Sequence, residues 1–136
     1  MDWVESVVKY EKPDIVILDM GDKFADIRSE RTDITLKAAA IHARNIAKQY
    51  DCAVMWMSQL SAEAEGRADL NQAMMEGSKT GKAAEADLMI LIGKTQQVEG
   101  EDEDPIRYLN IAKNKLNGFQ GKITCQLDGS RSLYSA

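Results

Sequence analysis

The feature of this sequence that most constrains its fold is a run of four branched aliphatic residues, Ile15 to Leu18, which ends in Asp19. A run without polar alternation is typical of a strand covered on both faces, as in a parallel sheet flanked by helices. Ligands of such sheets bind at the carboxyl ends of the strands. The run therefore predicts an α/β domain and puts the Asp19 carboxylate where a functional group is expected.

The rest of the chain alternates between helical and strand-like segments, which supports this class. In its first part we predict a helix with a capping box of Asp2 and Glu5 that stops at Lys12-Pro13, a polar loop over 22–32, and a helix from Asp33 to about Tyr50. Later come strands at 53–57 and 88–92, an acidic hairpin tip at 99–104, and strands at 108–112 and 122–127 around the turn signal Asn117-Gly118. With no repeat and no boundary, we expect one domain over residues 1–136, with an antiparallel hairpin at the edge of its sheet.

Length and charge exclude several classes of protein. The 136 residues suffice for one domain, and no apolar run approaches the roughly 18 residues that a membrane span needs. A net charge of −5 argues against a protein that coats nucleic acid without specificity, although residues 105–136 carry five bases against one acid. Cys52 and Cys125 have neither metal-binding nor redox spacing, so we expect two buried thiols in a cytosolic protein.

Polar side chains at the strand ends are the candidates for chemistry. Asp19 has the position of a Walker B acid, which holds the magnesium of a nucleotide, and Gln59 could orient a water or sense a γ-phosphate. Lys113 and Lys115 alternate at the end of a strand, so both point to one side and favour an anion or a partner surface. The structural alternatives are an acid that caps a turn, an amide bonded to backbone, and edge lysines that prevent aggregation. His42 lies among alanines without a catalytic partner, and we expect no catalytic role for it.

A long segment between two of the strands has few aliphatic side chains. Residues 61–82 contain three glycines, which predicts a mobile loop with room for one helical turn. The end of this segment, Gly77-Ser78-Lys79-Thr80-Gly81-Lys82, offers backbone amides, hydroxyls and two cations to a phosphate group. The GxxxxGK[ST] spacing of a P-loop is absent there and elsewhere in the sequence. A flexible linker is the alternative interpretation.

Four pieces of the sequence, taken in order, point to a family. They are Ile15-Val16-Ile17-Leu18-Asp19, then Met57-Ser58-Gln59-Leu60, then Gly77 to Lys82 leading into Glu85-Ala86-Asp87-Leu88-Met89-Ile90, then Ile111-Ala112-Lys113-Asn114-Lys115-Leu116-Asn117-Gly118 with Gly121. This order resembles the RecA-like motor domain of hexameric replicative DNA helicases, the DnaB family and its phage helicase-primase relatives. The resemblance is colinear and covers nearly the whole chain.

The resemblance implies a helicase driven by ATP or another NTP, assembled as a hexameric ring in the cytoplasm of a bacterium or a phage-infected cell. It implies that Asp19 holds Mg²⁺ and that Gln59 couples the phosphate state of the nucleotide to the DNA loop. Residues Gly77 to Lys82 would contact single-stranded DNA, and a primase is a further implied partner. Lys113 and Lys115 would match the Lys-x-Arg pair that reaches the neighbouring subunit's nucleotide. Lys115 stands where the family has arginine, and lysine lacks the bidentate fork of arginine.

The chain also departs from the family pattern, because the Walker A loop and the catalytic glutamate would precede residue 15 and have no counterpart in residues 1–14. We therefore expect the carboxyl-terminal part of a motor domain, with a mostly parallel RecA-like sheet that lacks its P-loop strand. The chain alone should hydrolyse no nucleotide. The gap between strands 53–57 and 88–92 predicts self-association, since unpaired strand edges in an apolar setting are costly.

Two other interpretations stay open at this stage. One is a non-catalytic remnant of a RecA-like protein that assembles or binds DNA without turning over nucleotide. The other is a RecA-like recombinase or clock-type ATPase, which shares the fold and the Walker B strand. The Lys-x-Lys-x-Asn-Gly pattern that begins at Lys113 favours the helicase over this last interpretation.

Overall fold

The computed structural model of the protein describes residues 1–24, 32–75, 81–96 and 104–135, which form two compact units. The first, here called the parallel unit, comprises Met1–Gln59 and Met75–Ala86. The second, the antiparallel unit, comprises Leu60–Met74 and Asp87–Ala136. None of the helices in the described ranges has the length and apolar character required to cross a bilayer.

The parallel unit follows the order helix, strand, helix, strand, helix. Its elements are α1 (Asp2–Glu11), β1 (Ile15–Leu18), a 3₁₀ turn (Gly21–Phe24), α2 (Thr32–Gln49), β2 (Ala53–Trp56) and α3 (Gly81–Glu85). Strands β1 and β2 pair in parallel, with Ile15 opposite Ala53 and Leu18 opposite Trp56. The predictions of two strands here, of their parallel pairing and of the long helix α2 are confirmed.

The core of the parallel unit lies on one side of this strand pair. Val4 and Val8 of α1 are buried against Leu18 of β1 and Ile46 of α2. The opposite face is largely open, because Ile15 and Ile17 of β1 are 60% and 58% exposed, as is 51% of Met55 in β2. The prediction that β1 is covered on both faces is wrong for the described residues, since helices pack on only one of them.

The start of α1 also differs from the prediction. Met1 is the N-cap and no side chain caps the helix, so the capping box of Asp2 and Glu5 is not formed. The Glu5 carboxylate instead bonds to His42 and Tyr50 of the neighbouring helix. The helix ends before Pro13 as expected, with Lys12 in the left-handed conformation.

The antiparallel unit is a four-stranded sheet. Its strands are β3 (Leu88–Gly93), β4 (Ile106–Asn114), β5 (Gly121–Asp128) and β6 (Leu133–Ser135), paired in this order and all antiparallel. The expectation of a mostly parallel sheet is corrected: β3 pairs with β4, and the parallel pair β1–β2 forms a separate sheet. β6 was not predicted, because three residues are too short for a periodic pattern to be recognised.

Local chemistry explains the connection between β4 and β5. The side chain of Asn114 accepts the backbone N–H of Leu116, and that of Asn117 accepts the N–H of Phe119. Gly118 has a φ of 78°, which glycine adopts without steric cost. The predicted Asn117-Gly118 turn is confirmed, whereas most of the acidic stretch 99–104 lies outside the described residues.

The buried polar residue Asn110 organises the interior of the antiparallel unit. Its side-chain amide donates to the carbonyl oxygen of Ala68, and its Oδ1 accepts the N–H of Leu70. These bonds fasten the segment before β3 to the middle of β4. Both cysteines are free thiols, as expected; Cys125 is buried, and Cys52 is partly buried with its pKa raised by desolvation.

Candidate functional site

The carboxyl ends of β1 and β2 form one edge of the parallel strand pair, and two predicted site residues lie there. Asp19 follows β1 directly, and Gln59 lies three residues beyond the end of β2. The two chains stay adjacent past the strands, because the N–H of Met57 donates to Leu18 and the N–H of Gly21 donates back to Met57. Both predicted side chains are exposed. We call this the Asp19 edge.

Beside the Asp19 edge is a polar cluster that the sequence did not reveal, formed by Asp22, Ser58 and Lys82 and here called the Asp22 cluster. The Lys82 ammonium lies 2.7 Å from Oδ1 of Asp22 and 2.8 Å from Oγ of Ser58. The Ser58 hydroxyl donates to Oδ2 of Asp22 over 2.5 Å. Trp56 adds a longer bond, from its indole N–H to Oδ1 of Asp22 at 3.2 Å. The Asp22 carboxylate thus accepts three hydrogen bonds.

Burial gives the cluster its electrostatic weight. The side chain of Lys82 is 5% exposed and that of Asp22 is 27% exposed. Lysine is almost never buried this deeply without a charged partner, because an unpaired ammonium in an apolar setting loses its hydration. The Asp22 carboxylate is that partner, so the two residues depend on each other.

A close approach between Gly21 and Trp56 shapes the same edge. A Cβ on Gly21 would lie 2.5 Å from the indole ring of Trp56. Only glycine therefore lets the chain pass under this ring as it leaves β1. The glycine after the Asp19 run thus has a packing reason.

Lys82 is placed differently from the prediction. Gly81 and Lys82 are the first two residues of α3, and both are buried, so the loop predicted over 61–82 does not extend to its expected end. That segment also contains two short 3₁₀ turns, Ala62–Ala64 and Gln72–Met74. Residues 77–80 of the predicted DNA-contacting stretch lie outside the described residues. A contact between Gly81 or Lys82 and DNA stays a prediction.

The predicted lysine pair lies in the antiparallel unit. Lys113 is in β4, opposite Met89 of β3, and Lys115 follows the strand. The backbone N–H of Lys115 donates to the carbonyl oxygen of Asp87, and its ammonium lies 3.5 Å from the carboxylate of the same residue. The pair therefore terminates β4 beside the first residues of β3.

His42 has a structural role in the parallel unit. It lines a surface cleft of about 360 Å³ together with Glu5, Ala38, Ile41, Asn45, Ile46 and Gln49. Its Nε2 lies 2.7 Å from Oε2 of Glu5. The interpretation of His42 as non-catalytic stays a prediction, and the contact shows that the residue links two helices.

The carboxylates of the Asp19 edge fit one kind of metal binding. No group of three or more His, Cys, Asp or Glu side chains is gathered for a metal in the described part of the chain. A magnesium ion held with a nucleotide takes most of its ligands from water and phosphate oxygens and needs only one or two carboxylates. The exposed Asp19 carboxylate fits that requirement and does not fit an all-protein cation site.

Comparison with known proteins identifies the fold. No protein-family model and no curated protein matches the sequence. Among solved structures, the ATPase domain of a DnaB-like helicase has a TM-score of 0.82 at 18% identity over 98% of this chain and 50% of that chain. A DnaB-like replicative helicase, described with its interactions with primase, has a TM-score of 0.80 at 19% identity over 98% of this chain and 34% of that chain. The resemblance predicted from the sequence is confirmed at the level of the fold, and the chain spans half or less of these two proteins.

Proposed function

We propose that this chain is the carboxyl-terminal part of the motor domain of a DnaB-like replicative helicase, from a bacterial or phage replication system. The observation that carries the proposal is the parallel pairing of β1 and β2, which brings Asp19 and Gln59 to the same sheet edge within a helicase-like fold. In parallel α/β sheets this edge is where nucleotides bind. The intact protein would use ATP or another NTP with Mg²⁺.

At the Asp19 edge the two predicted residues divide the work. The Asp19 carboxylate holds Mg²⁺ together with the phosphates that the ion neutralises when bound. The Gln59 side chain, free to reach outward from the neighbouring strand, orients a water or the terminal phosphate. Lys113 and Lys115 supply positive charge to the nucleotide of the neighbouring subunit, which is why they belong to a ring rather than to a monomer. Lysine does this as a point charge, without a bidentate bond.

Single-stranded DNA is the proposed polymeric ligand. Residues 77–82 would contact its backbone through amides, hydroxyls and the Lys79 ammonium. The intact protein would form a hexameric ring and work with a primase, as the primase complex of one structural neighbour suggests. We further propose that a P-loop strand, supplied by sequence that precedes these residues in the full motor, belongs beside β2.

The first experiment is a titration of fluorescently labelled oligodeoxythymidylate with the protein, followed by anisotropy. We expect binding that weakens roughly fivefold in Lys79→Ala, because a phosphate contact is lost. Lys48→Ala is the matched control, since Lys48 is an exposed lysine near the end of α2. Equal losses in both variants would indicate nonspecific attraction and contradict the assignment of residues 77–82.

The second candidate function is a non-catalytic RecA-like protein that binds DNA or assembles without turnover. The absence of a GxxxxGK[ST] motif from the 136 residues favours it for the isolated chain. A steady-state assay of phosphate release separates the two. Turnover that disappears in Asp19→Ala would mean that the isolated chain is itself an NTPase, and we expect none.

A further inference from the structure

The Asp22 cluster joins three parts of the parallel unit that are separate in sequence. Asp22 lies in the 3₁₀ turn after β1, Ser58 lies two residues beyond β2, and Lys82 is the second residue of α3. We propose that this cluster couples the Asp19 edge to α3, with Asp22 and Lys82 as positioning residues. The inference rests on the proposed function, because it concerns how DNA and nucleotide sites of one motor influence each other.

The first step of the argument is proximity along the chain. Asp22 is three residues from Asp19, and Ser58 is bonded directly to Gln59. A displacement at either predicted nucleotide contact therefore moves a member of the cluster, because almost no flexible chain intervenes. On the other side, Lys82 opens the helix that directly follows residues 77–80 in sequence.

The second step is that the cluster leaves little freedom to its members. Two acceptors, the Asp22 carboxylate and the Ser58 hydroxyl, fix the Lys82 ammonium from two directions at 2.7 and 2.8 Å. With 5% of its side chain exposed, Lys82 has little water to replace a lost partner. If Asp22 or Ser58 shifts, the ammonium must follow, and the first turn of α3 moves with it.

The third step concerns how α3 is held at its other end. A guanidinium nitrogen of Arg44 donates to the carbonyl oxygen of Glu85, the last residue of α3. The helix thus has one attachment at each end, and the Asp22 cluster determines only where the helix begins. An apolar contact would hold the same turn with less desolvation cost, so a buried ion pair is better explained by a need for one defined geometry.

The structure also contains a reporter of this geometry. The indole N–H of Trp56 donates to the same Asp22 oxygen that accepts Lys82. The only other tryptophan in the sequence is Trp3. In a Trp3→Phe protein, the fluorescence of Trp56 therefore follows the state of the Asp22 carboxylate.

The experiment titrates the Trp3→Phe protein with labelled oligodeoxythymidylate and records label anisotropy and Trp56 emission together. We expect the emission to change with the same midpoint as the anisotropy. Adding Asp22→Asn should abolish the emission change and weaken DNA binding roughly fivefold, the usual lower range of coupling between two sites. Lys82→Met should act in the same way, and Lys82→Arg should restore part of the emission change because it keeps the cation.

Asp69→Asn is the matched control, because Asp69 forms another Asp–Lys ion pair, 2.6 Å from Lys122 in the antiparallel unit. It should behave as the Trp3→Phe parent. DNA binding without any change in Trp56 emission, or an Asp22→Asn titration identical to the parent, overturns the inference and leaves the proposed function standing. Absence of DNA binding by the folded parent overturns the proposed function and the inference with it. If Asp22→Asn does not fold, Ser58→Ala, which keeps the ion pair, replaces it and should reduce the emission change.

Discussion

The Nε2 atom of His42 lies 2.7 Å from the Glu5 carboxylate, and this contact joins α1 to α2. The hydroxyl of Tyr50 donates to the other carboxylate oxygen at 3.1 Å. The bond to His42, followed by the bond to Tyr50, holds the pKa of Glu5 below its ordinary value of 4.5, because both bonds favour the charged form. One acidic side chain on the first helix thus replaces the missing cap with a tertiary attachment.

The first prediction concerns acid stability. A lowered carboxyl pKa means that the stabilisation by Glu5 is present above pH 4.5 and is lost as the pH falls through the lower native pKa. Glu5→Gln should lower the urea midpoint at neutral pH and should flatten its decline in acid. Some decline remains, since the backbone N–H of Ile106 and then the Thr95 hydroxyl lower the pKa of Asp104. Glu11→Gln, at an exposed glutamate ending the same helix, is the control and should leave the profile of the unmodified protein.

The second prediction concerns the close approach of Gly21 to Trp56. Gly21→Ala introduces a Cβ 2.5 Å from the indole, so the ring must move, which should cost about 1–3 kcal/mol of unfolding free energy. Gly129→Ala is matched, because no atom lies within 4 Å of its added Cβ. Urea unfolding of both variants measures the difference. Equal midpoints would show that the ring moves without cost.

These residues also indicate how far the sequence alone could lead. β1, β2 and α2 were predictable because their apolar spacing is local and is seen in a window of a few residues. The Asp22 cluster was not, since Lys82 and Asp22 are 60 positions apart and a lysine in a glycine-rich stretch looks like a solvated cation. Nothing in the periodicity around Lys82 separates a buried, paired ammonium from an exposed one.

The sheet topology was missed for a related reason. The strand patterns of β3 and β4 were visible, yet their antiparallel direction follows from which strand each one pairs with, and that is a long-range property. β3 was expected in a mostly parallel sheet because the family resemblance put it there. The open face of β1 was also unforeseen, since a run such as Ile15 to Leu18 looks alike whether one face or both are covered.

The third prediction tests the energy of the buried ion pair. Asp22→Asn should cost about 2 kcal/mol, below the 3–5 of a fully buried pair, because Asp22 is 27% exposed. Lys82→Met alone should cost less, since the remaining carboxylate keeps some water. The double variant should be more stable than the sum of the two changes implies, by about 1 kcal/mol. Strict additivity in urea unfolding would mean that the two charges do not interact.

The last prediction concerns the open face of the parallel strand pair. Ile17 and Met55 are cross-strand partners on this face, 58% and 51% exposed. Apolar patches on soluble domains mark surfaces that associate, and here β2 has no hydrogen-bonded neighbour on its outer side within the described residues. Light scattering at micromolar concentration should therefore report a dimer or a larger assembly. The double variant Ile17→Lys with Met55→Lys should be monomeric with nearly unchanged unfolding, because both side chains already contact water. Ile34→Lys removes an equally exposed isoleucine from α2 and should leave the assembly intact. A monomeric unmodified protein, or a loss of association in the Ile34 variant as well, would exclude this face as the contact.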